Sequence, residues 1–257
     1  MSFLGLALIH ARIAGRQRAL WVVSILLTVL AATLNVNTGL AFETDDVADL
    51  AFLAQLLALL PPIAYAAAFT DLVSAPARLG IAEVEASSPT SPAMLAVARV
   101  IGSLLVVALP SALVLLFCGF AQTAHGNQWA VLQAVSLFAF VTAPGALLAM
   151  SLSSLAGTVL PRAIARIAAV AAWCVAIGLT TFVPTPEPGG GFKIHLASDA
   201  VCQAFFGCSP LMDQASANVA ASAPIEAVVA LAAKLAIAIA LLLLAGALSR
   251  SRAYRRG

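Results

Sequence analysis

The sequence predicts an all-α membrane protein with six transmembrane helices and both termini in the cytoplasm. Three observations carry that prediction. The 257 residues are 62% apolar and 9% charged, against about 45–50% and about 25% in ordinary soluble domains. The apolar residues gather into six runs of the roughly 20 residues that a bilayer crossing needs. All 11 arginines fall beside the same set of connections, on one side of those runs.

So few charges could not cover the surface of a soluble globule of this length. An ordinary cytosolic enzyme, a disordered chain and a soluble DNA-binding protein are therefore excluded, and the mean hydropathy of +1.04 agrees. The whole chain reads as one transmembrane domain. A net charge of +2 says little as a sum; the placement of the charges says more.

Residues 1–19 read as an interfacial helix. Phe3–Arg18 is too short and too charged to cross, and Phe3, Leu4, Leu8 and Ile9 suit the headgroup boundary. A frayed tail is the plainer alternative. The spans follow at Leu20–Ala41, Leu50–Thr70, Met94–Cys118, Trp129–Leu152, Ala163–Pro184 and Ile225–Ser249. They should be helices, because a backbone facing lipid must satisfy its own hydrogen bonds. Membrane strands would show short alternating segments instead. The first apolar run is also longer than the roughly 7–15 residues of a signal-peptide core.

The charges orient the bundle. Arg12, Arg16 and Arg18 precede span one, and Arg78 and Arg99 flank the connection between spans two and three. Arg162 and Arg166 lie between spans four and five, and Arg250, Arg252, Arg255 and Arg256 form a basic tail over 250–257. The opposite connections hold Glu43, Asp45, Asp46, Asp49, Glu187, Asp199 and Asp213, with Lys193 as their only base. The positive-inside rule then puts both ends in the cytoplasm.

Two connections are large. The cytoplasmic one, Asp71–Ala93, can form a short helix near 76–86. Pro76 suits a first helical turn, and Ser87-Ser88-Pro89 ends the segment. It is either a solvated turn or a docking element whose acids are Glu83 and Glu85. The external one, 185–224, begins Pro/Gly-rich and irregular. Ser198 can cap a short helix over Asp199–Phe206 that Gly207 ends, and a second can run from Pro210 to about Ala220. A disulfide between Cys202 and Cys208 would pin the two, since this side is oxidising; two thiols, or a bond to Cys118, are the alternatives.

Away from the span ends, Lys234 is the one basic residue within a span. A charge there faces a cavity or a partner by default, so Lys234 is a candidate for a pathway or a dimer interface, with snorkelling as the rival. Gln55 is polar within span two, and Pro61-Pro62 must break or kink that span. Tyr65 and Trp173 fit packing more readily than binding. Small-residue runs at Ala64–Ala68 and Ala168–Ala172 suit close helix contact. His10, His125 and His195 lie in separate regions, so no metal set is expected.

In layout the chain resembles permeases of the type-2 ATP-binding-cassette exporter family. The residues that carry the likeness are Asp71, Arg78, Gly80, Glu83, Ser88-Pro89-Thr90-Ser91 and Arg99. They follow the family's order of acid, base, glycine and acid before a Ser-Pro stretch that leads into span three. Pro76 and the second acid, Glu85, depart from the pattern. The resemblance implies a six-span subunit in a prokaryotic cytoplasmic membrane, dimerised with a second copy or a homologue. It implies a coupling helix made by Pro76, Arg78, Gly80, Glu83 and Glu85. It also implies that spans two and five line the passage, and that the external short helices form a re-entrant cap. ATP and Mg would sit on a separate ATPase subunit. No cofactor, catalytic residue or nucleic-acid partner is expected here. Gly189-Gly190-Gly191-Phe192-Lys193-Ile194 lacks the spacing and hydroxyl residue of a phosphate-cradling loop. The mostly apolar spans point to an amphipathic lipid, drug or peptide as cargo.

Rival classes are weaker on the residues. A membrane enzyme would want an H-E-x-x-H or G-x-S-x-G motif, and neither occurs. An ion-coupled carrier would want several buried acids or a relay. A structural or immunity-type membrane protein is compatible with the sequence.

Overall fold

The computed structural model describes residues 3–36, 41, 43–72, 92–182, 199–208 and 223–254. Eleven α-helices occur among them, with no strand: α1 (Phe3–Gly15), α2 (Arg18–Val36), α3 (Val47–Leu59), α4 (Pro61–Ala68), α5 (Pro92–Val107), α6 (Leu109–Ala124), α7 (Ala130–Leu137), α8 (Ala143–Val159), α9 (Arg162–Phe182), α10 (Ala200–Phe206) and α11 (Pro224–Tyr254). The connection expected to hold the coupling helix at 76–86 lies outside the described residues, as does the expected helix from Pro210.

Four stretches are long and apolar enough to cross a membrane: Arg18–Asn35, Val47–Asp71, Ala130–Val159 and Pro224–Ser249. A fifth is the pair α5 and α6, bent by 47°. These are the helices of a multi-pass membrane protein. Their outward faces carry Val22, Leu26, Phe117, Leu132, Val228 and Leu243, all exposed, as lipid contact requires. The remaining expected span, Ala163–Pro184, overlaps α9 over 163–182, and α9 is not one of these stretches.

The stretches Val47–Asp71 and Ala130–Val159 form the centre. More than half of each is buried, against little more than a quarter of Arg18–Asn35 and Pro224–Ser249. The reason is a row of small residues on α8. Gly145, Ala149, Ser153 and Gly157 recur every fourth position and so share one face. Gly145 lies against Ala58, where a Cβ would stand 3.0 Å from the Ala58 carbonyl. Ser153 Oγ donates to Ala66 O (2.6 Å). Gly157 sits so close to Thr70 that any Cβ would overlap the Thr70 carbonyl. Only small side chains allow two helix backbones this near.

Prolines break three of the long stretches. Pro61 and Pro62 have no N–H to give to the preceding turn, so α3 ends and α4 begins. Ile63 N–H turns to Leu60 O (3.1 Å). Leu59 O thereby loses its helical donor, and the buried indole Nε1 of Trp173 donates to it instead (3.1 Å). Pro110 breaks the second stretch. There Val107 O accepts from Ser24 Oγ (2.8 Å) and from Tyr65 OH (2.9 Å). Pro144 follows a turn of π-helix at Phe138–Thr142. It removes the donor for Phe140 O, and widened turns of this kind cluster at functional places. Polar groups close two of these gaps because hydrocarbon offers the freed carbonyls no water.

Residues 3–15 are not a frayed tail. α1 docks along α5. Gly102 lies under the Ala7 carbonyl and beside His10, and Gly15 reaches Val106. Partial burial and the nearby positive charge of Arg99 push the His10 pKa down.

Candidate functional site

The polar residues converge at the end of the bundle where α3 begins. α10 organises them. Asp199 is its N-cap: the carboxylate Oδ1 accepts the Val201 N–H (2.8 Å). The sequence reading gave capping to Ser198 and put Asp199 in the first turn; the structure assigns the cap to Asp199. At the other end Gly207 takes a left-handed φ of 64°, which a glycine adopts without strain. Cys202 O then accepts from Gly207 and also from Cys208 N–H (3.2 Å).

The other carboxylate oxygen of Asp199 receives Lys234 Nζ from α11. Both side chains are almost fully enclosed, at 6% exposure for lysine and 5% for aspartate. This lysine, set well inside α11, therefore has an internal partner. It neither snorkels nor opens onto the chain's surface. The carboxylate is satisfied twice, by an ammonium and by a helix N–H, which is the condition under which a charge pair survives burial.

Gln55 completes the group. Its Nε2 donates to Cys208 Sγ (3.1 Å), while Cys202 Sγ donates to Ala51 O (3.6 Å). Gln55 Oε1 is buried with no hydrogen-bond partner among the described residues. The structure carries Cys202 and Cys208 as thiols and not as the disulfide weighed from the sequence. Burial pushes both thiols up, Cys208 to about 12, with the carboxylates of Asp49, Asp199 and Asp46 adding to the shift of Cys208. Thiols this far from ionising are poor nucleophiles at neutral pH. Cys118 is buried on α6.

Of the residues singled out from the sequence, Gln55, Cys202, Cys208 and Lys234 come together here. Pro61, Pro62 and Trp173 form a second group at the break in span two, and Tyr65 serves the break in span three. All six pathway candidates, Gln55, Pro61, Pro62, Tyr65, Trp173 and Lys234, are buried within the single chain. Pro76, Arg78, Gly80, Glu83 and Glu85 lie outside the described residues. Asp199 was missed as the lysine's partner. The one hint in the sequence is that this acid heads the short helix that comes before the lysine's own helix.

At the other end of span two, Asp71 pairs with Arg162 Nε, the first residue of α9. The arginine side chain is 63% exposed. No group of three or more His, Cys, Asp or Glu side chains able to hold a metal occurs among the described residues. What this cluster can do chemically is tie α10 to α11 through an enclosed ion pair. No family model, curated protein or solved structure matches this chain.

Proposed function

We propose that the chain is the transmembrane permease subunit of an ATP-driven exporter of the ATP-binding-cassette type. It crosses the membrane six times with both termini in the cytoplasm. It works as a dimer on separate ATPase subunits and moves an amphipathic lipid, drug or peptide outward. The reading rests on the resemblance around Asp71–Arg99 and on the one-sided arginines.

The structural observation that supports it most is the tie at the start of the 73–91 connection. Thr70 packs without a gap on Gly157 of α8, and Asp71 pairs with Arg162 of α9. A push on the chain at Asp71 is thus transmitted to spans two, four and five together. An ATPase docked on Glu83 and Glu85 would drive the bundle through that point. Replacing Glu83 and Glu85 by Ala should leave insertion intact and uncouple ATP hydrolysis from transport. Transport by the double variant at the wild-type rate would refute the docking role.

The buried Asp199–Lys234 pair favours a second reading, an ion-coupled carrier. Proteoliposomes separate the two. A carrier moves cargo on an imposed proton or sodium gradient without nucleotide, and a permease subunit alone does not.

A further inference from the structure

The corner between α1 and α2 is strongly basic. Arg12, Arg16 and Arg18 stand exposed around it within seven positions, and no acid occurs in the chain before Glu43. The corner is fixed by backbone bonds from Arg16 N to Ile13 O (3.2 Å), Gln17 N to Ala14 O (3.1 Å) and Leu20 N to Gln17 O (3.1 Å). Apolar faces flank it on both sides. α1 presents Leu8 and Ile13, and α2 presents Val22 and Leu26, each more than half exposed. The opposite face of α1 is taken up by α5 through Ala7 and Gly102, so the basic corner and the apolar faces are held in register by the fold.

We infer that this corner is a binding site for the headgroup of an anionic phospholipid. The phosphate sits among the three guanidiniums, which suit phosphate oxygens as planar forks of donors. The acyl chains lie on the exposed faces of α1 and α2. A neutral lipid would leave the three charges without a counter-charge, and a free phosphate would leave the apolar faces unused. The lipid anion satisfies both. Its occupancy would fix where α1, and with it α5 and the start of span three, rides relative to the bilayer surface.

The test is a binding titration of the full chain in neutral detergent with phosphatidylglycerol, phosphatidylcholine and inorganic phosphate. Each arginine near a surface contributes about 1 kcal/mol towards anionic lipid, which converts to about fivefold in affinity. Phosphatidylglycerol should therefore bind, and the triple variant R12Q/R16Q/R18Q should lose on the order of a hundredfold. The charge-preserving triple R12K/R16K/R18K should stay within about tenfold of the parent, because the charge term is kept while the fork is lost. Hydrogen exchange of α8 in each variant reports that the bundle is folded. Equal affinity for the two lipids, or phosphatidylglycerol binding unchanged in a folded glutamine triple, overturns the site. So does saturation by inorganic phosphate that displaces the lipid, since the apolar faces then contribute nothing.

Discussion

The two ends of span two are each marked by an ion pair, and the two pairs do different work. Asp199–Lys234 at one end is closed off from solvent on both partners. Asp71–Arg162 at the other has an arginine side chain 63% exposed. Charge that water can reach is cheap to break, whereas charge enclosed by apolar helices is not. The solvated end has a different fastener beside its ion pair: the Thr70 backbone seated on Gly157. One end is held by charge and the other by close packing.

That contrast sets the order of expected effects. Replacing Lys234 by Met leaves the Asp199 carboxylate buried and unpaired, and should cost about 3–5 kcal/mol in an unfolding measurement. The double variant K234M/D199L should regain most of that loss, short by about 1 kcal/mol for the helix cap that Asp199 also provides. A double variant no better than the single would mean that the pair is not the source of the effect. At the opposite end, Gly157→Ala forces α8 away from Thr70 and should cost about 1–3 kcal/mol. A stability unchanged by this substitution would remove the close approach from the account.

At the break between the two ends, Trp173→Phe keeps the ring and orphans the Leu59 carbonyl. The expected loss is about 1–3 kcal/mol, read as lower thermal stability with faster hydrogen exchange around Leu59–Ile63. Asp71→Asn should be the mildest of the static changes, about 0–1 kcal/mol and weaker still in high salt. A loss as large as that of Lys234→Met would erase the contrast between the ends.

The smallest effect concerns pH. His10 has a pKa below its ordinary 6.5 when α1 is docked on α5. As pH falls, the undocked chain takes up the proton first. The neutral imidazole's contribution to docking is therefore whole above pH 6.5 and is lost on acidification below it. The protection of Phe3–Gly15 against hydrogen exchange, taken relative to the intrinsic rate at each pH, should fall below that pH, and His10→Gln should flatten the dependence.

The separate parts of this arrangement were legible in the sequence to different degrees. The breaks were readable wherever proline was noticed, as at Pro61-Pro62. Pro110 carries the same signal inside Met94–Cys118, where a continuously apolar run masks it. The short helix at 200–206 was readable from its polar start and Gly207. Lys234 was readable as a residue that needed an explanation, but its partner lies 35 positions away. Nothing in spacing along a helix reveals such a contact. The carbonyls of Leu59 and Val107 were invisible for a related reason, since their donors come from Trp173, Ser24 and Tyr65 on other helices. The Gly145–Gly157 row could have been read, because a four-residue recurrence of small side chains is a local pattern.

The functional account stands on what the Asp71–Ala93 connection meets. A gentle-detergent purification of the tagged chain, with mass spectrometry of its companions, tests it most directly. The account predicts a stoichiometric ATPase subunit that is lost when Glu83 and Glu85 are replaced by Ala. A chain that comes out alone, under conditions that preserve membrane complexes, would contradict the exporter reading and leave the Asp199–Lys234 pair as the centre of a carrier.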